Sequence, residues 1–299
     1  MGADRAMVTI HDRTYRNQSF SPVDFLINGV HLAVRGTSHL WTYEERIKWA
    51  RNVGWSLIRM IPSYRRRVDD NLRLVFPDLS DDGRAALMEE CARNIGQSLM
   101  EHMHMAEFAE RIGHLDMSGP GMGALDPERG AILVSGHFGQ WEGVRIAWRH
   151  LTNQPCGFFF RPNNNGFYDR HWQEYLRQAG TPNIPKGGAG RAMMAEQLLA
   201  RRPLLMVIDQ AIANAERLEF LGHPARTATT AAELALEHDM PLIPAYAVRR
   251  ANLVDYDVIF EAPVPPSDPV TMTQALNTSL ASRILDNPEQ YLWTHRRWR

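Results

Sequence analysis

The feature of this sequence that most narrows its fold is an alternation that sets in after a turn-rich link, Gly119 to Gly130. Short apolar runs follow at Ala131 to Val134, Cys156 to Phe160, Leu204 to Ile208, Leu242 to Val248 and Tyr256 to Phe260. Between them lie stretches of helical character: Glu142 to Leu151, Gly166 to Ala179, Gly190 to Arg201 and Thr227 to Glu237. Short continuous apolar runs read as strands buried on both faces, and helices between them let the strands run parallel. The expected fold class is therefore α/β, a mostly parallel sheet flanked by helices. The chain has 299 residues and 44% hydrophobic content, enough to bury a large core.

The first apolar run ends at Ser135-Gly136, and His137 then leads into a helical stretch, Trp141 to Ala147. Parallel sheets gather ligands outside the carboxyl ends of their strands, so a histidine there is a candidate for chemistry. On an ideal helix, residues five apart point about 140° away from each other. His137 and Glu142 therefore meet only if His137 lies in the turn before the helix, which Gly136 and Gly139 permit. A carboxylate holding one ring nitrogen leaves the other free to take a proton from a hydroxyl. A His-Glu dyad is one reading; the other is two residues each satisfied by local hydrogen bonds.

Resemblance favours the dyad. Gly136-His137-Phe138-Gly139-Gln140-Trp141-Glu142 resembles the His-x4-Asp/Glu signature of the lysophospholipid acyltransferase superfamily. It is most similar to the Gly-His-x-Gly-Asn-Trp-Glu form of the bacterial lipid A late (lauroyl/myristoyl) acyltransferases. Other blocks resembling that branch follow its order: Asn71-Leu72 with Phe76-Pro77-Asp78, Arg161-Pro162 with its asparagines, Asp209-Gln210, and Phe220-Leu221-Gly222-His223-Pro224-Ala225-Arg226-Thr227. The tail from Pro288 to Arg299 resembles the terminal Pro-Glu-Gln-Trp-x-Trp-x-His-x-Arg-Trp. The likeness covers roughly residues 65 to 299.

The resemblance implies an O-acyltransferase with a glycerolipid acyltransferase-like core. A fatty acyl group would pass from an acyl thioester, on acyl carrier protein or coenzyme A, to the hydroxyl of a lyso-lipid. His137 would be the base and Glu142 its orienting carboxylate. With no well-placed Ser or Cys nucleophile, a ternary complex is expected and no acyl-enzyme. No cofactor beyond the acyl-ACP or acyl-CoA co-substrate, and no metal, is expected. Arg161 and Asn164, backbone amides near Gly139, the polar pair Asp209 and Gln210, and Arg191 are the expected substrate-binding groups. A thioesterase using His137 to activate water is the rival enzyme, and a non-catalytic lipid carrier a third reading. Phe159, Met193, Met194 and Met206 either line an acyl tunnel or fill the core.

Gln140 stands where the resembled branch usually has Asn and Thr230 where a Gly is usual, and the N-terminal membrane anchor that many of its members carry is not expected here. These departures leave the acceptor open between a lipid A precursor and a smaller lyso-aminolipid carrying the same kind of 3-hydroxyacyl chain. The 33 basic and 34 acidic residues nearly cancel, so no global field draws the protein to nucleic acid. Cys91 and Cys156 fit no ligand spacing and read as free core thiols.

Residues 1–118 are expected to form a helical, membrane-proximal region, and residues 119–299 an α/β core, the two making one compact unit. Ser80 or Asp81 is expected to cap a long helix with a stripe at Leu87, Cys91, Ile95, Leu99 and Met103. His102 and His104 point apart on that helix, which disfavours a metal site. Met1 to Phe20 lacks the apolar region of a signal peptide, and no apolar run is long enough to span a bilayer. The tryptophan- and arginine-bearing stretch from Trp41 to Tyr64 and the tail suit a membrane surface or plain packing on the core. The expected location is peripheral, on the cytoplasmic side of the inner membrane.

Overall fold

The structure, a computed structural model, describes residues 21–298. Met1–Phe20, and with it the stretch expected to lack a leader, lie outside the described residues, as does Arg299 at the end of the tail block. Five helices come first: α1 (Pro22–Ser38), α2 (Tyr43–Arg59), α3 (Pro62–Val75), α4 (Asp81–Met103) and α5 (Met105–Glu110). Pro62 divides the stretch from Trp41 to Tyr64 between α2 and α3, because a proline without an N–H fits the first turn of a helix and not its interior. Ser80 caps α4 by accepting the Gly83 N–H, as expected.

The sheet strands are β1 (Leu115–Ser118), β2 (Ile132–Ser135), β3 (Gly157–Phe160), β4 (Asn183–Pro185), β5 (Leu204–Val207), β8 (Leu242–Arg249) and β9 (Tyr256–Phe260). They form one seven-stranded sheet in the order β1-β9-β8-β2-β5-β3-β4. Neighbours from β8 through β4 are parallel. β9 runs antiparallel to β8, since the tight link between them is too short for a crossover, and β1 pairs parallel with β9. The helices between strands are α6 (Glu142–Thr152), α7 (Gly166–Ala179), α8 (Gly188–Leu199) and α9 (Thr230–Glu237), and α10 (Pro269–Asp286) follows. The protein is thus an α/β fold with a mostly parallel sheet flanked by helices and a helical N-terminal region.

Three features were not legible as apolar runs. The sheet begins at β1, ahead of residue 119, in a mixed Leu-Asp-Met-Ser segment, and β4 is only Asn-Ile-Pro. β6 (Glu216–Phe220) and β7 (His223–Thr227) form a separate hairpin through Leu221 and Gly222, both at positive φ. The helix expected from Thr227 therefore starts at Thr230.

Alternate residues of β2 face opposite layers. Leu133 packs with Val144, Trp148, Leu205 and Ile243, whereas Ile132 and Val134 pack with Leu204, Met206, Ala232 and Leu276. The free thiols Cys91 and Cys156 are buried, as expected.

The N-terminal helices are fixed to this core by polar groups. Arg249 on β8 holds Glu101 on α4 through two contacts of 2.6 and 2.9 Å, and the Tyr256 hydroxyl donates to the same carboxylate at 2.6 Å. The expected stripe along α4 is not one buried face, for Leu99 is 41% exposed. Four-residue steps advance about 40° beyond a full turn each time, so the row winds around the helix instead of holding one face.

Candidate active site

The register of β2 and β5 sets the site. Ser135 pairs with Val207 at the ends of the two strands, so two residues beyond each end His137 comes opposite Asp209. The His137 Nδ1 lies 2.8 Å from Asp209 Oδ1, and the His137 backbone N–H donates to Oδ2 at 3.0 Å. Asp209 is fully buried. Burial would push its carboxyl upward, yet the His137 imidazole and its hydrogen bonds prevail and hold it well below the usual carboxylate range. With Nδ1–H given to Asp209, His137 Nε2 is an acceptor, and the Gln210 Nε2 lies 3.3 Å from it.

The expected pairing of His137 with Glu142 does not form. Glu142 is the first residue of α6 and its side chain turns inward, where Oε2 accepts from Arg145 at 2.9 Å. Arg145 is wholly buried and also donates to the Cys156 carbonyl and to Asn183 Oδ1. The Glu142 carboxylate thus neutralises a buried guanidinium beneath the turn that carries the histidine. The partner of the histidine comes from the neighbouring strand end, which spacing within one motif could not reveal.

The turn from Gly136 to Trp141 is held from three sides. Gly139 sits at φ 56°, and a Cβ there would stand 1.9 Å from the Ala247 carbonyl oxygen. Its N–H donates to the Gln290 carbonyl at 3.0 Å, and the Gln140 N–H donates to the Ala247 carbonyl at 3.1 Å. These amides are therefore committed to the fold and do not serve as the substrate-binding donors expected near Gly139. The Gln140 side chain reaches Glu101 on α4 at 3.1 Å, so the residue that departs from the resembled Asn ties the turn to the N-terminal helices.

A cavity of about 440 Å³ opens at this turn, a volume within the range of small-molecule sites. His137, Gly139, Gln210 and His295 line its polar end, and Ile95, Leu99, Tyr168, Trp172 and Leu292 contribute an apolar wall. His102 joins them, stacked on Trp172 with ring centres 4.5 Å apart.

The other expected binding residues stand apart. Arg161 and Asn164 are exposed, and the guanidinium donates to the Asn164 side chain at 2.8 Å. Arg191 is exposed on α8. None of the three lines the cavity. Phe159, Met193, Met194 and Met206 pack on the far face of the sheet and fill the core.

The tail, expected either on a membrane or on the core, is in the core: Tyr291, Trp293 and Arg297 are all at most 2% exposed. It brings His295 to a centroid distance of 4.8 Å from His137, a neighbour that the tail block contained but whose location only the fold reveals.

The sequence profile of the family described as Bacterial lipid A biosynthesis acyltransferase matches residues 20–299. The chain is 25% identical over 276 residues to the lipid A biosynthesis lauroyltransferase of Escherichia coli strain K12, covering 83% of each chain. It is 26% identical over 243 residues to the lipid A biosynthesis acyltransferase of Haemophilus influenzae, covering 77% of this chain and 75% of that one. A phosphatidylinositol mannoside acyltransferase of Mycolicibacterium smegmatis is 25% identical over 233 residues, 74% of each chain.

Proposed function

Because the chain belongs to the bacterial lipid A biosynthesis acyltransferase family and is thus an acyltransferase, we propose that it moves a fatty acyl group from an acyl thioester to the hydroxyl of a bacterial lyso-lipid. The observation that carries this reading is an imidazole at the cavity wall whose Nδ1 is fixed by a buried carboxylate.

In this mechanism His137 Nε2 takes the proton of the acceptor hydroxyl as its oxygen attacks the thioester carbonyl. Asp209 holds the tautomer and balances the imidazolium that forms. When the tetrahedral species collapses, the C–S bond breaks and the departing thiolate takes the proton from His137. Gln210 occupies the position beside Nε2 that the acceptor hydroxyl would enter. The apolar wall at Ile95, Leu99 and Leu292 suits an acyl chain.

The donor is an acyl carrier protein or coenzyme A thioester. Relatives are named for lipid A biosynthesis and for acylation of phosphatidylinositol mannoside; the acceptor in this proposal is a 3-hydroxyacyl chain of a lipid A precursor or lyso-aminolipid.

The enzyme works at the cytoplasmic surface of the inner membrane. Among the described residues no helix is long and apolar enough to cross a membrane. α1, however, buries Asn28, His31 and Ser38 while Val23, Leu26, Ile27 and Val30 are between 51% and 67% exposed. Those four lie on one face, turned away from the protein, as in a helix that rests in a lipid interface.

The test is product analysis by mass spectrometry after incubating enzyme, acyl thioester and lyso-lipid. An acylated lipid that His137→Ala no longer produces supports the reading. Free fatty acid as the main product, even with acceptor present, would make the protein a thioesterase. Lipid profiling of a deletion strain would name the acceptor through the lyso form that accumulates.

A further inference from the structure

Acyl transfer from a thioester places negative charge on the carbonyl oxygen, and that oxygen needs hydrogen-bond donors. The backbone amides of His137, Gly139 and Gln140 are already given to Asp209, Gln290 and Ala247. With those three amides taken, the side chains at the polar end of the cavity are the next donors to consider. His295 is there, its ring centre 4.8 Å from that of His137 and tilted 42° to it. Two imidazoles so placed can each reach atoms about 3 Å away, one holding the attacking oxygen and the other the carbonyl oxygen under attack.

The tail that carries His295 is fastened to the His137 turn. Phe138 and Tyr291 form an antiparallel bridge, the Leu292 N–H donates to the His137 carbonyl at 3.0 Å, and the Gly139 N–H donates to the Gln290 carbonyl at 3.0 Å. From the other side α3 holds it: Asn71 Nδ2 donates to the Trp293 and His295 carbonyls at 2.7 and 2.9 Å, and Arg67 donates to the Thr294 carbonyl at 2.9 Å. The backbone of His295 is thus anchored against both the catalytic turn and a helix, while among the described residues its ring makes no hydrogen bond to the protein. An anchored backbone with an uncommitted ring facing a cavity suits a group kept for a ligand.

We infer that His295 is a second catalytic residue, a neutral imidazole whose N–H donates to the thioester carbonyl oxygen as it becomes an oxyanion. The assignment rests on the acyl-transfer reading above. The carbonyl π pair moves to oxygen when the acceptor oxygen adds to carbon. His295 keeps its proton throughout, and the proton that reaches the thiolate comes from His137. Burial, followed by the neighbouring His137, pushes the His295 ring down to about 4, with Asp209 opposing, so the ring is uncharged at neutral pH. A neutral ring carries one N–H, which is what the oxyanion requires, and does not repel the imidazolium formed at His137.

The test uses His295→Ala and His295→Gln, the second keeping an N–H donor. His295→Ala should lose about 10² to 10³ in kcat, the usual cost of one oxyanion donor, with KM changed less than about threefold. His295→Gln should retain more of the rate. An acyl-thioester analogue with CH2 in place of sulfur supplies a readout independent of turnover: its isotope-edited carbonyl stretch should lie lower on wild type and His295→Gln than on His295→Ala. Wild-type kcat in His295→Ala would overturn the assignment, as would equal impairment of both variants with an unshifted carbonyl band. Failure of the wild-type enzyme to acylate any lyso-lipid would overturn the underlying reading instead, and the carbonyl band would show whether His295 still contacts a carbonyl.

Discussion

Glu142→Gln should damage the fold far more than the chemistry. Glu142 and Arg145 are both 0% exposed and joined at 2.9 Å. The substitution leaves the guanidinium buried among neutral acceptors, the carbonyls of Cys156 and Leu176 and the amide of Asn183. Removing one partner of a buried ion pair costs about 3 to 5 kcal/mol. For a domain of this size, at about 2 to 4 °C per kcal/mol, the melting temperature should fall by roughly 6 to 20 °C. Calorimetry reads that loss, and single-turnover rates below the transition should stay within a few-fold of wild type per folded molecule. Removing the guanidinium as well, in Glu142→Gln/Arg145→Met, should recover much of the stability, because an apolar replacement of both charges is often neutral. A Glu142→Gln enzyme with wild-type melting but no activity would refute this and return Glu142 to the chemistry.

Gly139→Ala should lower both stability and kcat by tenfold or more, since φ 56° and the Ala247 carbonyl leave no room for a Cβ and the His137 turn must move; calorimetry and steady-state kinetics would show it. Burial, first among the causes, depresses His31, His104 and His295 to about 4 each. The unfolded chain, with histidines near 6.5, then binds more protons between pH 6.5 and 4, so stability should rise with pH across that window. Burial lowers His102 and His171 in the same direction, so unfolding should take up protons from all five rings, measurable from denaturant curves at stepped pH; a flat profile would contradict it. Leu26→Ser/Ile27→Ser/Val30→Ser should weaken binding to anionic liposomes at least tenfold, about 1.4 kcal/mol, yet leave turnover of a detergent-dispersed acceptor unchanged. Unaltered liposome binding would contradict the proposal that α1 rests on a membrane.

Much of the architecture was legible because buried parallel strands leave continuous apolar runs, and Ala131 to Val134 or Leu204 to Ile208 allow little else. β1 and β4 were not, since edge strands of three or four mixed residues leave no pattern. The position of His137 after β2 followed from the same logic, and its partner did not. Asp209 lies 72 residues away, and only the pairing of Ser135 with Val207 brings it to the ring. Spacing instead suggested Glu142, whose real partner, Arg145, lies on the same helix. The tail shows the same limit. Its tryptophans and arginines read equally as surface or core, and what decides is tertiary: Arg297 donates to Thr227 Oγ1, and Trp293 Nε1 to the Pro288 carbonyl.

The most direct test of the His137–Asp209 pairing is the imidazole N–H resonance of His137 by proton and nitrogen NMR, assigned by its loss in His137→Ala. The wild-type ring should show a downfield proton on Nδ1 and a bare Nε2. That signal should persist in Glu142→Gln and vanish in Asp209→Asn, whose kcat should also fall about 10² to 10⁴. A signal that survives in Asp209→Asn and disappears in Glu142→Gln would contradict the account.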